Sequence, residues 1–135
     1  MSKKQAMSDA DYQGLAEFRR SLRNFLAFSE KAAAGAGLTA AQHQALLAIR
    51  GMPGEVTVGT LADWLGVRHH SCVGLVDRLV ALGLVKKSAD PEDRRRMLLV
   101  LSPKAGRKLE TLSAVHREEL RRRAPALLAA LKFRN

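Results

Sequence analysis

The sequence predicts a mostly α fold with one small β-hairpin, and three observations predict it. Between Val56 and Leu101 two short helical patterns, VTVGTLADWLGV and HHSCVGLVDRLVAL, are joined at Gly66-Val67-Arg68. Two apolar, strand-like runs then flank a charged turn, DPEDRRR. Long amphipathic stretches stand at either end of the chain. Two helices joined by a few residues with a glycine at the turn form the unit that sets its second helix in the major groove of DNA, and a charged hairpin tip beside it can reach the next groove. The expected architecture is a winged helix-turn-helix domain with long terminal helices.

The first helix is expected from residue 9 to about residue 34. Leu15, Phe18, Leu22, Phe25, Leu26 and Ser29 or Ala33 recur at spacings of three and four, which describes one helical face. Glu17, Arg19, Arg20 and Arg23 fall on the outer side, and Gly35 and Gly37 end the pattern. Thr39 to Gln42 then spells a capping box, in which hydroxyl and amide satisfy each other's orphan backbone N–H groups. The helix it opens runs through Leu46, Leu47 and Ile49 and stops at Gly51-Met52-Pro53-Gly54. A third helix, capped by Thr57, is expected to bury Leu61, Trp64 and Leu65 and to end at Gly66.

The fourth helix, from about His69 to Leu82, divides into two faces. Cys72, Val73, Val76, Leu79 and Val80 make the expected inward stripe, and Ser71, Gly74, Leu75 and Arg78 recur on the other side. Leu84–Ser88 and Met97–Leu101 read as strands around a Pro-containing turn. Ser102-Pro103 pairs a favoured cap with proline at the first helical position. Ala105, Leu109, Leu112, His116 and Leu120 form the stripe of the last helix, which Pro125 is expected to bend or break before Leu127, Leu128 and Leu131.

At 135 residues the chain suits a single domain, 1–135, with a core of ordinary size. It has no run of about 18 apolar residues, so no membrane partner is expected. The polar start MSKKQAMSDADYQG has no apolar stretch behind its lysines, and the lone Cys72 has no partner for an internal disulfide. Both favour a cytoplasmic setting. A net charge of +10 points to a polyanion, but Lys and Arg exceed Asp and Glu by 3 in residues 1–50, by only 1 in 51–103 and by 6 in 104–135. Any DNA binding by the middle segment therefore depends on where its arginines sit.

Enzymatic chemistry finds no support. The chain lacks a nucleophile elbow, a phosphate-cradling glycine loop and a nucleotide fingerprint, so no catalysis and no cofactor are expected. His69 and His70 are adjacent, so on a helix they point about 100° apart and cannot share one ion, and no metal is expected. Cys72, on an inward stripe away from fixed cations, reads as an inert thiol.

The outward face of the fourth helix is small, polar and basic. Ser71 and Arg78 suit phosphates or base edges, Gly74 keeps the approach clear, and Arg68 and His70 flank the start of the helix. At the hairpin tip, Asp93 beside Arg94, Arg95 and Arg96 offers a carboxylate that can hold an arginine extended. Such an arginine suits the narrow minor groove of A·T-rich DNA. An ordinary solvated surface is the alternative in both places. His43, His116 and Phe25 are candidate effector contacts, with hydrogen-bonded structural histidines as the alternative. The terminal helices carry more apolar face than a small winged domain covers, which suggests a two-fold dimer reading a pseudo-palindrome.

The run HHSCVGLVDRLVALGLVKKSADPEDRRRMLLVLSPKAGRKL resembles the MarR family of bacterial transcriptional regulators. The resemblance lies in Arg78-Leu79 through Gly83-Leu84-Val85, in Asp93 with Arg95, and in Leu101-Ser102 with Gly106. It implies a homodimeric winged-helix repressor or activator, often released from its operator by a small aromatic or phenolic ligand bound between the dimerisation and DNA-binding regions. In that scheme residues 9–37 and 102–135 are dimerisation helices and 38–101 is the DNA-binding region. Asp93 would brace Arg95 for the minor groove, and the Ser71 to Arg78 face would enter the major groove. The chain departs from the family pattern in its short C-terminus. The competing reading is a non-enzymatic winged-helix module for protein docking, which has no need of Asp93 and Arg95 at its tip.

Overall fold

A computed structural model of the chain describes residues 6–133. The first five positions of the polar N-terminus and the last two of the 102–135 segment lie outside the described residues. The order is α1 (Asp9–Gly35), α2 (Ala40–Gly51), α3 (Val58–Leu65), α4 (His69–Ala81), β1 (Val85–Ala89), β2 (Met97–Leu101) and α5 (Pro103–Ala130). These form two compact units: residues 32–113, and the described residues up to Lys31 together with those from Ala114.

The 32–113 unit holds the apolar core. Leu46, Leu61, Cys72, Val76, Leu79 and Val85 are its innermost side chains, and every core residue falls between Ala33 and Leu112. Local sequence fixes the elements around it. Thr39 and Gln42 make the expected capping box at α2, and Thr57 with Thr60 makes a second one at α3. Gly66 closes α3 in the left-handed conformation at φ 69°, which a side chain would resist, and Gly83 does the same after α4 at φ 73°. β1 and β2 pair antiparallel, with Val85 opposite Leu101 and Ala89 opposite Met97. β1 thus begins one residue later than the sequence suggests.

The hairpin is fastened to the helices at its base. The Leu99 N–H donates to the Val56 carbonyl at 2.8 Å, and a bridge joins Thr57 to Leu98. The Ser102 hydroxyl donates to the Gly83 carbonyl at 2.7 Å while accepting from the Ala105 N–H at 3.2 Å. One side chain therefore caps α5 and ties it to the end of α4.

Several burial expectations are corrected. In α3 the core face is Val58, Leu61, Ala62 and Leu65, and Trp64 is 60% exposed. A helix of only two turns shows the core a single arc, and Trp64 lies outside it. In α4 the arc is Cys72, Leu75, Val76 and Leu79; Leu75 turns towards the core, and Val73 and Val80 are exposed. Leu47 is exposed as well, with Ala45 and Ala48 in the core instead.

The terminal unit contains α1 up to Lys31 and α5 from Ala114. Phe18, Phe25 and Phe28 are half-buried, whereas Leu15, Leu22 and Leu26 are exposed, so the single predicted face of α1 is only partly covered. On α5 the expected stripe is buried at Ala105, Leu109 and Leu112 and half-buried at His116, but at its end Leu120 is exposed and Glu119 is buried in its place. Arg122 and Arg123 explain the buried carboxylate, donating to it at 2.5 and 2.6 Å. α5 does not break at Pro125, which sits inside the continuous helix. Its missing N–H removes one helical bond, and the turns on either side persist. A Cβ on Gly14 would lie 2.5 Å from the Ala130 carbonyl oxygen, so glycine permits the close contact between the start of α1 and the end of α5.

Candidate nucleic-acid interface

The candidate surface is built on α4 and the hairpin, both within the 32–113 unit. Cys72, Val76 and Leu79 anchor α4 in the core, and this turns Arg68, His69, His70, Ser71, Gly74 and Arg78 outward. Arg68 is the N-cap and makes no side-chain capping bond. Among the described residues the first amides of α4 therefore have no side-chain cap, the arrangement in which a helix end receives a phosphate oxygen. A Cβ built on Gly74 would meet nothing within 4 Å, so the protein itself does not require glycine there.

Two cations in this region are already engaged. Lys87 on β1 donates to Asp77 on α4 at 2.8 Å, a link ten residues long that the sequence does not suggest. Arg96 lies 3.8 Å from the carboxylate of Asp90. Arg68, Arg78, Arg94 and Arg95 make no ion pair among the described residues.

The hairpin tip differs from the sequence expectation. Asp93 does not grip the Arg95 guanidinium: its carboxylate accepts from the Arg95 backbone N–H at 3.0 Å, and its carbonyl accepts from the Arg96 N–H at 3.0 Å. A short acidic side chain reaches the amide two residues ahead more readily than a guanidinium beside it. Asp93 thus shapes the turn from which Arg94 and Arg95 project. The buried acid is Asp90, 5% exposed, which sequence reasoning passed over; the Asp-Pro pair at the turn entry was the available signal.

The proposed effector contacts are divided between the two units. Phe25 and His116 meet in the terminal unit, with ring centroids 6.0 Å apart, and Phe28 lies 5.5 Å from the same histidine. His116 Nε2 is 2.8 Å from the Ser29 hydroxyl. A concavity of about 710 Å³ in this unit is lined by Phe28, Val115, Glu119 and Arg122, among others. His43 is buried on α2 in the 32–113 unit. Cys72 is fully buried, and burial pushes its thiol pKa up. Among the described residues no three His, Cys, Asp or Glu side chains gather where they could hold a metal ion, and no helix is long and apolar enough to cross a membrane.

The profile of the MarR family matches residues 36–96, the stretch that holds α2, α3, α4 and the hairpin tip. A probable transcriptional regulator from Pseudomonas aeruginosa, known from its crystal structure, is 33% identical over 79% of this chain and 80% of its own, with a TM-score of 0.63. This chain belongs to the MarR family. YcgE of Bacillus subtilis, described as an uncharacterized HTH-type transcriptional regulator, is 31% identical over 74% of this chain. The chain spans 64% of the length of that relative. A mutant of MarR from E. coli, crystallised with operator DNA, shares the fold at a TM-score of 0.66, with 23% identity over 76% of this chain and 73% of its own. Among the described residues of this MarR-family chain, the five helices and the two-stranded hairpin are a winged-helix arrangement.

Proposed function

We propose that the chain is a homodimeric, cytoplasmic, non-enzymatic DNA-binding transcriptional regulator acting as a ligand-responsive repressor. In this reading α4 enters the major groove of a pseudo-palindromic operator while Arg94 and Arg95 reach the minor groove. The observation that carries it is the free state of the outward cations. Arg68 at the N-cap of α4, Arg78 on α4, and Arg94 and Arg95 at the hairpin tip are exposed and make no ion pair among the described residues, on elements fastened to one core. Asp77 and Asp90 are paired with Lys87 and Arg96, so these two acids do not offset the outward arginines, which are left to meet phosphates and base edges.

Dimerisation is supported by the terminal unit. Leu26 and Leu128 are 55% and 63% exposed, and Leu15, Leu22, Val115, Leu120 and Leu131 add to the uncovered apolar surface. A second copy is the covering that two-fold symmetry supplies. The cluster of Phe25, Phe28 and His116 supports a small aromatic or phenolic effector, because ring edges and faces pair favourably at such distances. The docking-module reading draws on the exposed Trp64 and Leu47, which border a groove of about 390 Å³.

Fluorescence anisotropy with the gene's own upstream DNA and a scrambled duplex of equal length, each at two salt concentrations, tests the proposal. Tight, salt-sensitive binding that prefers the native duplex is the expected result, because phosphate contacts release counterions. Weak, equal binding to both duplexes with a flat salt response would overturn it in favour of protein docking.

A further inference from the structure

The three arginines at the hairpin tip are consecutive in sequence but differ in their surroundings. We propose that Asp90 is an internal counter-ion that withdraws Arg96 from DNA, so that only Arg94 and Arg95 are presented to it. The inference rests on the DNA-binding reading and assigns to Asp90 the role of a positioning residue.

Asp90 is buried at 5% exposure, where a carboxylate needs hydrogen bonds and a nearby cation to offset its lost hydration. One oxygen, Oδ1, accepts from the Glu92 N–H at 2.9 Å. The other, Oδ2, faces Arg96 Nη1 at 3.8 Å, the one ion pair Asp90 makes among the described residues. The backbone of Arg96 is held as well. Its N–H donates to the Asp93 carbonyl and its carbonyl accepts from the Asp90 N–H, each at 3.0 Å. Arg96 is therefore fixed at the base of the tip, one residue before β2, with its guanidinium drawn to a buried anion. Of the other nearby acids, Glu92 contacts the turn through its backbone N–H and Asp93 through its carboxylate, which accepts from the Arg95 N–H, and neither makes an ion pair with Arg94 or Arg95 among the described residues. A guanidinium already compensated by a buried carboxylate has less to gain from a phosphate, and leaving would strand that carboxylate.

The slope of log affinity against log salt counts the phosphates neutralised, at about 0.9 per contact. It is measured by anisotropy on one labelled A·T-rich duplex for the wild type, Arg94→Gln, Arg95→Gln, Arg96→Gln, Asp90→Asn and the double variant Asp90→Asn/Arg96→Gln. Arg94→Gln and Arg95→Gln should each reduce the slope by about 0.9 per chain bound, whereas Arg96→Gln should leave it at the wild-type value. Asp90→Asn keeps an acceptor for the Glu92 N–H and frees Arg96, so the slope should steepen. Adding Arg96→Gln to it should restore the wild-type slope, a coupling that general weakening of the turn would not produce.

A loss of slope in Arg96→Gln equal to that in Arg95→Gln, or an unchanged slope in Asp90→Asn, would overturn the assignment. If melting curves show that Asp90→Asn does not fold, the three single arginine variants decide the matter. A wild-type protein with no salt-dependent binding would instead refute the DNA-binding reading itself.

Discussion

Replacing Gly74 with alanine should have opposite effects on the free protein and on its complex with DNA. Gly74 lies mid-helix on the outward face of α4, and an added Cβ would meet nothing within 4 Å. Its φ is not among the positive values, so the backbone does not require glycine either. Glycine inside a helix costs about 0.5–1 kcal/mol relative to alanine through the greater freedom of the unfolded chain. Gly74→Ala should therefore stabilise the free protein by about that amount, or roughly 2–6 °C in Tm. In the complex the new methyl stands between the helix backbone and the groove. Forcing one extra methyl into a close-packed contact costs about 1–3 kcal/mol, which corresponds to roughly five- to 150-fold weaker binding. Gly106→Ala on α5 is the control, since a Cβ there also meets open space; it should leave DNA affinity unchanged. Thermal melts followed by Trp64 fluorescence and operator titrations by anisotropy read the two effects. A Gly74→Ala protein that melts higher and binds its operator as tightly as the wild type would refute the close approach.

Arg95→Ala should weaken operator binding by about 1–3 kcal/mol, more than Arg121→Ala, because Arg121 is paired with Glu118 at 3.1 Å; equal losses in titration would contradict the role of the tip. Leu26→Glu should leave the helical circular dichroism intact and shift the protein from dimer to monomer in light scattering, and an unchanged mass would exclude the exposed face of α1 as the interface. Glu119 is held below the ordinary carboxylate range by Arg122, with Arg123 adding to this against the effect of burial. Its pairing therefore stabilises the fold above the unfolded carboxylate pKa and is lost as pH falls through the lower folded value. The Tm deficit of Glu119→Gln should be present at neutral pH and disappear in acid. Cys72, buried with its thiol pKa raised, should react with a disulfide reagent only when denaturant opens the fold, and rapid labelling of the native protein would contradict its position.

The parts of the fold that were legible in the sequence are those set by local chemistry. The capping box at Thr39, the cap at Thr57, the stop at Gly66 and the Ser102-Pro103 start each act within a few residues, and the structure shows them where the pattern placed them. Burial was less legible, because a helix of two or three turns can rotate its apolar arc by one residue without changing its pattern. Trp64, Val73 and Leu75 moved between faces for that reason. Pro125 misled because the rule against helical proline concerns one hydrogen bond, and a 28-residue helix keeps the rest. At the hairpin, the identity of the cations could be read but their pairing could not. Lys87 meets Asp77 across ten residues, and the Asp90–Arg96 pair depends on the path of a turn that no periodicity encodes.

Those same pairings bear on how a segment with a surplus of one positive charge can read DNA. The Lys87–Asp77 pair joins β1 to α4, the Leu99 N–H joins β2 to the start of α3, and the Ser102 hydroxyl joins the end of the hairpin to Gly83. Helix and hairpin are thus ordered when the chain folds, and docking need not immobilise them again. Ordering flexible side chains and loops is among the larger penalties of association, so a small number of pre-placed arginines achieves more than a larger number on mobile stems. The one acid among these fastenings, Asp77, is paired with Lys87 and not with an outward arginine. In the proposed DNA-binding reading the basic excess in residues 104–135 acts at long range, as a field that speeds encounter and weakens with salt, while register on the duplex is assigned to Arg68, Arg78, Arg94 and Arg95.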